Sequence, residues 1–232
     1  MNKIVVQAIV LSILFSGGLN QAYGQTFATE ISAFKKQDSA SFPPKGAILF
    51  VGSSSFRFWT DLNHYFPGYP IINRGFGGSS FPDVIRYADD IIFPYQPKQI
   101  VIYCGDNDFS FSDTVSSQTV FNRFKQLFQL IRKNMPGENI VFVSIKPSPS
   151  RVRQMAREEE TNGWIKQFLS EQKNTGFVDV YHAMLDASGK PISEIFKADS
   201  LHMNEKGYAI WQKLIKPYLA DPDSKVNRHT LN

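Results

Sequence analysis

The sequence predicts an α/β fold, a three-layer αβα sandwich on a flavodoxin-like, five-stranded parallel sheet. From residue 47 onward, short β-rich apolar runs alternate with longer amphipathic stretches, the pattern of strands joined by crossover helices. The chemically distinctive residues fall just past those apolar runs or in the loop before the last helix, where reactive groups gather in such sheets.

The run 47–51 is apolar throughout and ends at Gly52, as expected of a strand covered on both faces. Further strands are predicted at 69–73, 99–104, 139–145 and 176–180, and helices at 81–93, 114–134, 151–173 and 204–219. The last helix shows one apolar face: Tyr208, Trp211, Leu214, Ile215 and Tyr218. Strands that alternate with helices pair in parallel through right-handed crossovers, which places helices on both faces.

The chain begins Met-Asn-Lys, continues with an apolar run over 4–15, and reaches small residues at Ala22 and Gly24. This is the pattern of a secretory signal peptide over 1–24, cleaved after Ala22 or Gly24. The run is shorter than the ~20 residues of a membrane span, and no cysteine follows it directly to carry a lipid. The mature protein is therefore expected to be exported, periplasmic or secreted, without stable membrane insertion. Residues 25–46 read as a short helix over 27–37 (Phe27, Ile31, Phe34) and a Ser/Pro-rich linker. Residues 47–220 form one domain, and 221–232 a C-terminal tail.

A 42% hydrophobic, 20% charged composition is that of a globular protein. The net charge of +4 is scattered along the chain, which argues against nucleic acid as a partner. Cys104 is the single cysteine, so no internal disulfide can form; it is expected to pack in the core. His64, His182 and His229 stand away from the glycine-rich turn and read as surface or packing residues. The pairs Asp89/Asp90 and Asp106/Asp108 lack further ligands at a useful spacing, so no metal and no cofactor are expected.

Four blocks carry the chemistry. Gly52-Ser53-Ser54-Ser55 follows the first strand, where a serine either caps a helix or presents a nucleophile; the residues alone leave open which serine, and an anion-binding helix start is a further reading. Gly75-Phe76-Gly77-Gly78 follows the second strand and lets backbone N–H groups approach a ligand. Gly105-Asp106-Asn107-Asp108 follows the third, offering either an Asx-turn or an amide donor to a developing oxyanion. Asp199-Ser200-Leu201-His202 precedes the last helix, with a carboxylate spaced to orient an imidazole.

In this order the blocks resemble those of the SGNH (GDSL-like) hydrolases, over residues 47–217. An exported Gly-Ser-Ser-Ser branch is the most similar, and the likeness continues through 144–151. The resemblance implies a serine esterase with Ser54 as nucleophile, His202 as base and Asp199 as its partner. It further implies an oxyanion hole formed by the Ser54 and Gly78 N–H groups and the Asn107 side chain. One departure is Ser53, where the family usually has aspartate. Arg74 and Arg151 either hold a polar or anionic group of the substrate or stand as solvated arginines, the more frequent case. Of the aromatic residues around these loops (Phe56, Phe58, Trp59, Phe76, Phe81, Phe109, Phe111), at least half belong to the core, and the rest line an acyl pocket or stack on a sugar.

The expected activity is removal of short acyl groups, chiefly acetyl, from a small-molecule or glycan ester. The alternatives are a lysophospholipase or thioesterase acting on lipid esters and a catalytically silent glycan-binding protein.

Overall fold

The computed structural model describes residues 18–110 and 112–222; positions 1–17 of the predicted leader, Phe111, His229 and tail residues 223–232 lie outside them. Strands β1 (Ile48–Gly52), β2 (Ile71–Gly75), β3 (Gln99–Tyr103), β4 (Asn139–Val143) and β5 (Thr175–Val178) form one five-stranded sheet in the order β2-β1-β3-β4-β5. All pairings are parallel, so the expected flavodoxin-like architecture is observed. The chain passes from β1 out to β2 and then crosses to the other side of β1 for β3, and at this switch point such sheets open a crevice at their carboxyl ends. The register is level there, since Gly52 sits opposite both Gly75 and Tyr103. Three blocks 20 to 50 residues apart in sequence therefore emerge side by side.

Every residue of β1 is buried, and its side chains alternate between two cores. Leu49 and Val51 join Ile100, Ile102 and Phe142 beneath α1 (Gly18–Ala40), α7 (Ser117–Asn134) and α8 (Met155–Ser170). Ile48 and Phe50 join Val101, Tyr103 and Val143 beneath α9 (Glu205–Ile215), which contributes Tyr208, Trp211 and Ile215. Each such large apolar side chain stabilises the fold by about 1.5–3 kcal/mol.

Short helices α2 (Ser54–Arg57), α3 (Leu62–Tyr65), α4 (Phe81–Arg86), α5 (Ala88–Ile91) and α6 (Asp106–Ser110) complete the chain. The helix predicted over 81–93 is thus broken into α4, α5 and a 3-10 turn at Phe93–Tyr95, because Tyr87 leaves helical geometry at φ −102°, ψ 11°. The one predicted from 151 begins as a 3-10 turn, Pro149–Gln154, in which Arg151 departs from helical geometry at φ −124°, ψ 28°. Asn204 caps α9, accepting from Lys206 and Gly207 N–H, and Pro217, which has no N–H to continue the ladder, lies in the closing 3-10 turn Lys216–Tyr218. The second strand runs over 71–75 rather than 69–73, and the N-terminal helix is longer than the expected 27–37. No helix among the described residues is long and apolar enough to cross a membrane.

Candidate active site

The turn after β1 allows only glycine at position 52. Its φ is +136°, and a Cβ there would lie 1.9 Å from the Tyr103 carbonyl oxygen. The chain then enters α2 with Ser53 at the N-cap, its N–H donating to Tyr103 O at 2.9 Å. Ser53 and Ser55 are buried while Ser54 is partly exposed, so burial singles out one serine of the three. Ser54 is the first residue of α2, where a backbone N–H has no intrahelical acceptor.

The second half of the site comes from the loop before α9. A bridge between Phe196 and Met203 closes this loop, Lys197 N–H donates to His202 O at 2.8 Å, and Ser200 takes a left-handed φ of 56°. This curls Asp199 back on its own loop: Oδ1 accepts from Leu201 N–H at 3.0 Å and His202 N–H at 2.9 Å. Asp199 Oδ2 lies 2.7 Å from His202 Nδ1, and His202 Nε2 lies 2.9 Å from Ser54 Oγ. Burial pushes the Asp199 carboxyl up, but hydrogen bonds from the His202 ring and from the two backbone N–H groups outweigh it and hold it at about 2. An ionised carboxylate only accepts, so Nδ1 carries the proton and Nε2 is left to accept from the serine. The Phe58 ring meets the imidazole edge-on, centroids 4.7 Å apart.

The glycine turn is pinned to the same rim. Phe76 N–H donates to Gly52 O at 2.9 Å, and Ser79 Oγ donates to the same oxygen at 3.1 Å. Gly78 is exposed, with a left-handed φ of +76° and open space beside its Cα. Asn107 is oriented at both ends, Nδ2 donating to Ser79 O at 3.0 Å and Oδ1 accepting from Arg151 Nη2 at 2.9 Å. The second Nδ2 hydrogen of Asn107 is left for a ligand.

The sequence profile of the GDSL-like lipase/acylhydrolase family matches residues 46–210. The chain belongs to that family. It is accordingly a carboxylic ester hydrolase. Among solved structures it is similar to a Streptococcus pneumonia protein described as a platelet activating factor (21% identity, 87% of this chain and 96% of that one, TM-score 0.76). A GDSL-like lipase from Bacteroides thetaiotaomicron superposes with a TM-score of 0.69 at 20% identity, over 81% and 96% of the two chains. A catalytic mutant of an acetylxylan esterase from Geobacillus stearothermophilus follows at 0.61 and 14%, over 79% and 98%. At these identities the likeness is one of fold. No curated protein sequence matches the chain.

Within this family member, one expectation is corrected. Arg74 does not face the site. It pairs in register with Val51 and lies buried beneath α1, where Asp38, Tyr95 Oη (2.7 Å) and Asn73 O (2.9 Å) hold its guanidinium. Arg151 is at the site, partly exposed, where it contacts Asn107 and Asp106 Oδ2 (3.1 Å).

The Asp-x-x-His spacing also occurs at Asp179 and His182, with Nδ1 2.8 Å from Asp179 Oδ2. There Nε2 faces Glu159 at 3.4 Å instead of a serine, so the spacing by itself is not diagnostic. Cys104 is buried, and burial, followed by nearby Asp108 and Asp106, pushes its thiol well up, which leaves it unreactive. Phe56, Trp59, Phe76, Phe81 and Phe109 are core residues, whereas Phe58 is exposed beside His202. Among the described residues no cluster of three His, Cys, Asp or Glu side chains could hold a metal ion.

A cavity of about 580 Å³ is lined in part by Phe58, Asp61, His64, Tyr65, Lys197 and Glu205; Phe58 connects it to His202, and neither Ser54 nor His202 lines it. Neither its position nor the participation of Glu30, which accepts from Gly77 N–H, has a local signature in the sequence.

Proposed function

We propose that this esterase forms an acyl-enzyme on Ser54 and removes short acyl groups, chiefly acetyl, from carbohydrate. His202 Nε2 takes the Ser54 proton as Oγ attacks the ester carbonyl, and the resulting oxyanion is met by the Ser54 and Gly78 N–H groups and Asn107 Nδ2. The imidazolium, stabilised by Asp199, hands its proton to the departing alcohol oxygen. Water then gives a proton to His202 and attacks the acyl carbon, and release of the acid returns that proton to Ser54. General-base assistance of this kind contributes about 10²–10⁴ in rate.

The observation that carries the substrate reading is the position of the cavity. Phe58, whose ring meets the His202 imidazole at 4.7 Å, also lines that cavity beside Tyr65 and the carboxylates Asp61 and Glu205, so an alcohol protonated by the imidazole would extend into it past Phe58. Rings that stack on a sugar face beside groups that accept from hydroxyls suit a carbohydrate alcohol. An acetylxylan esterase among the structural neighbours is in keeping with this reading.

The test is a hydrolysis panel running from acetylated oligosaccharides to long-chain acyl esters, with Ser54→Ala and His202→Ala as controls. Acetylated sugars are expected to be the best substrates and both variants inactive. Preference for long chains would support a lipid esterase, and binding without turnover a silent glycan binder.

Export is proposed from the leader pattern alone. Its test is fractionation with N-terminal sequencing: recovery from periplasm or medium beginning after Ala22 or Gly24 is expected, and recovery only from the cytoplasm with Met1 intact would oppose it.

A further inference from the structure

Helix α1 lies before the segment that matches the family, residues 46–210, yet one of its carboxylates reaches the rim of the site. Glu30 accepts from the Gly77 N–H, with Oε2 at 3.2 Å and Oε1 at 3.4 Å. Its Oε2 also pairs with Arg57 Nε at 2.8 Å, and the Glu30 side chain is only 17% exposed.

Its neighbours on α1 hold it in place. Phe27 and Ile31 are buried, and the Phe27 ring meets Phe76 edge-on at 5.4 Å, so the helix is packed against the very turn that Glu30 touches. A Cβ on Gly77 would come within 3.3 Å of both Glu30 Oε1 and Arg57 Nη1, so these two side chains lie directly against the turn. Exposed ion pairs contribute little by themselves, but here one partner is a backbone amide of the turn. With Phe76 N–H on Gly52 O and Gly77 N–H on Glu30, two successive peptide planes are fixed. The third carries the Gly78 N–H, for which the described residues show no acceptor.

We infer that Glu30 is a positioning residue for the oxyanion-binding turn, reaching it from a helix outside the family-matched segment and holding the Gly78 amide toward Ser54. This rests on the proposed role of Gly78. Arg57 offsets the carboxylate charge, so Glu30 can order the turn without opposing negative charge on the reacting oxygen.

The experiment compares full-length wild type with Glu30→Ala, Glu30→Gln and Glu30→Asp by steady-state hydrolysis of p-nitrophenyl acetate and by thermal unfolding. Removing an oxyanion donor outright costs about 10²–10³ in kcat, and a donor loosened but still present should cost about 10- to 50-fold. Glu30→Ala is therefore expected to lower kcat by that factor with KM within about twofold, the split that marks a contact made only in the transition state. Glu30→Gln keeps an oxygen for Gly77 N–H and is expected within about threefold of wild type; Glu30→Asp, one methylene short, is expected to resemble Glu30→Ala.

Wild-type kcat in Glu30→Ala with a lowered melting temperature would reduce Glu30 to a structural clamp and overturn the inference. If Glu30→Ala does not fold, Glu30→Asp decides: folded with full kcat, it overturns the inference, and with reduced kcat it supports it. If wild type neither turns over ester nor labels with a fluorophosphonate, the acyl-transfer reading itself falls and takes this one with it, an outcome visible before any variant is measured.

Discussion

Replacing Arg151 with methionine removes two contacts at once, Nη2 to Asn107 Oδ1 at 2.9 Å and Nη1 to Asp106 Oδ2 at 3.1 Å. The first orients Asn107, the proposed oxyanion donor. Asn107 would still donate to Ser79 O at 3.0 Å, so its amide is loosened rather than lost, and kcat should fall about tenfold, which corresponds to ~1.4 kcal/mol in the barrier. The second contact neutralises a buried carboxylate: Asp106 is 5% exposed and would keep only Lys146, 3.8 Å away. Breaking a buried pair costs about 3–5 kcal/mol. Because Arg151 is partly exposed and Lys146 remains, about 2 kcal/mol of stability is expected to be lost, discounting the buried-pair value.

The assay is a double-mutant cycle on kcat with Asn107→Ala, run beside urea denaturation. If Arg151 acts through Asn107, Arg151→Met should add nothing in the Asn107→Ala background. A raised KM with unchanged kcat, or full additivity, would refute this reasoning and return Arg151 to direct substrate binding.

Fluorophosphonate should label one serine. Peptide mass spectrometry is expected to find the adduct on Ser54, with labelling abolished in Ser54→Ala and retained in Ser53→Ala, since Ser53 is buried; an adduct on Ser53 would reassign the nucleophile. Gly52→Ala should yield no folded protein, or one destabilised by more than about 4 kcal/mol, because its Cβ would sit 1.9 Å from Tyr103 O; a near-native circular dichroism melt would contradict that geometry. Glu158 is fully buried with neither carboxyl oxygen hydrogen-bonded; burial first and Asp106 second raise it to about 8. Unfolded, it ionises near ~4.3, so between that pH and about 8 the folded chain holds the extra proton and stability falls as pH rises. Glu158→Gln is therefore expected to raise the melting temperature at pH 8 and to change it little at pH 5, and equal shifts at both would show that the carboxyl does not titrate in that window.

Much of the fold was legible because it is written locally. The apolar run of β1 and the amphipathic face of α9 are properties of a few adjacent residues, and each was placed within a few positions of where it stands. Breaks within helices were not legible: the pattern over 81–93 keeps its apolar rhythm although Tyr87 departs from helical geometry. Arg74 illustrates the other failure. A strand-end arginine beside a glycine turn looks like a ligand for substrate, but which face it takes is set by its register with Val51, and its partner Asp38 lies on a helix 36 residues away.

By itself the sequence determined the layered α/β architecture, the four blocks at its rim and the kind of chemistry they support, because strand periodicity, turn glycines and side-chain type are encoded over short stretches. Tertiary structure alone decided which of three serines is accessible, which of three Asp-x-x-His pairs meets it, and that Glu30 and Arg151 contact Gly77 and Asn107. These depend on level strand ends and on loops that bring together residues as far apart as Ser54 and His202, 148 positions along the chain, and no local pattern records such a meeting.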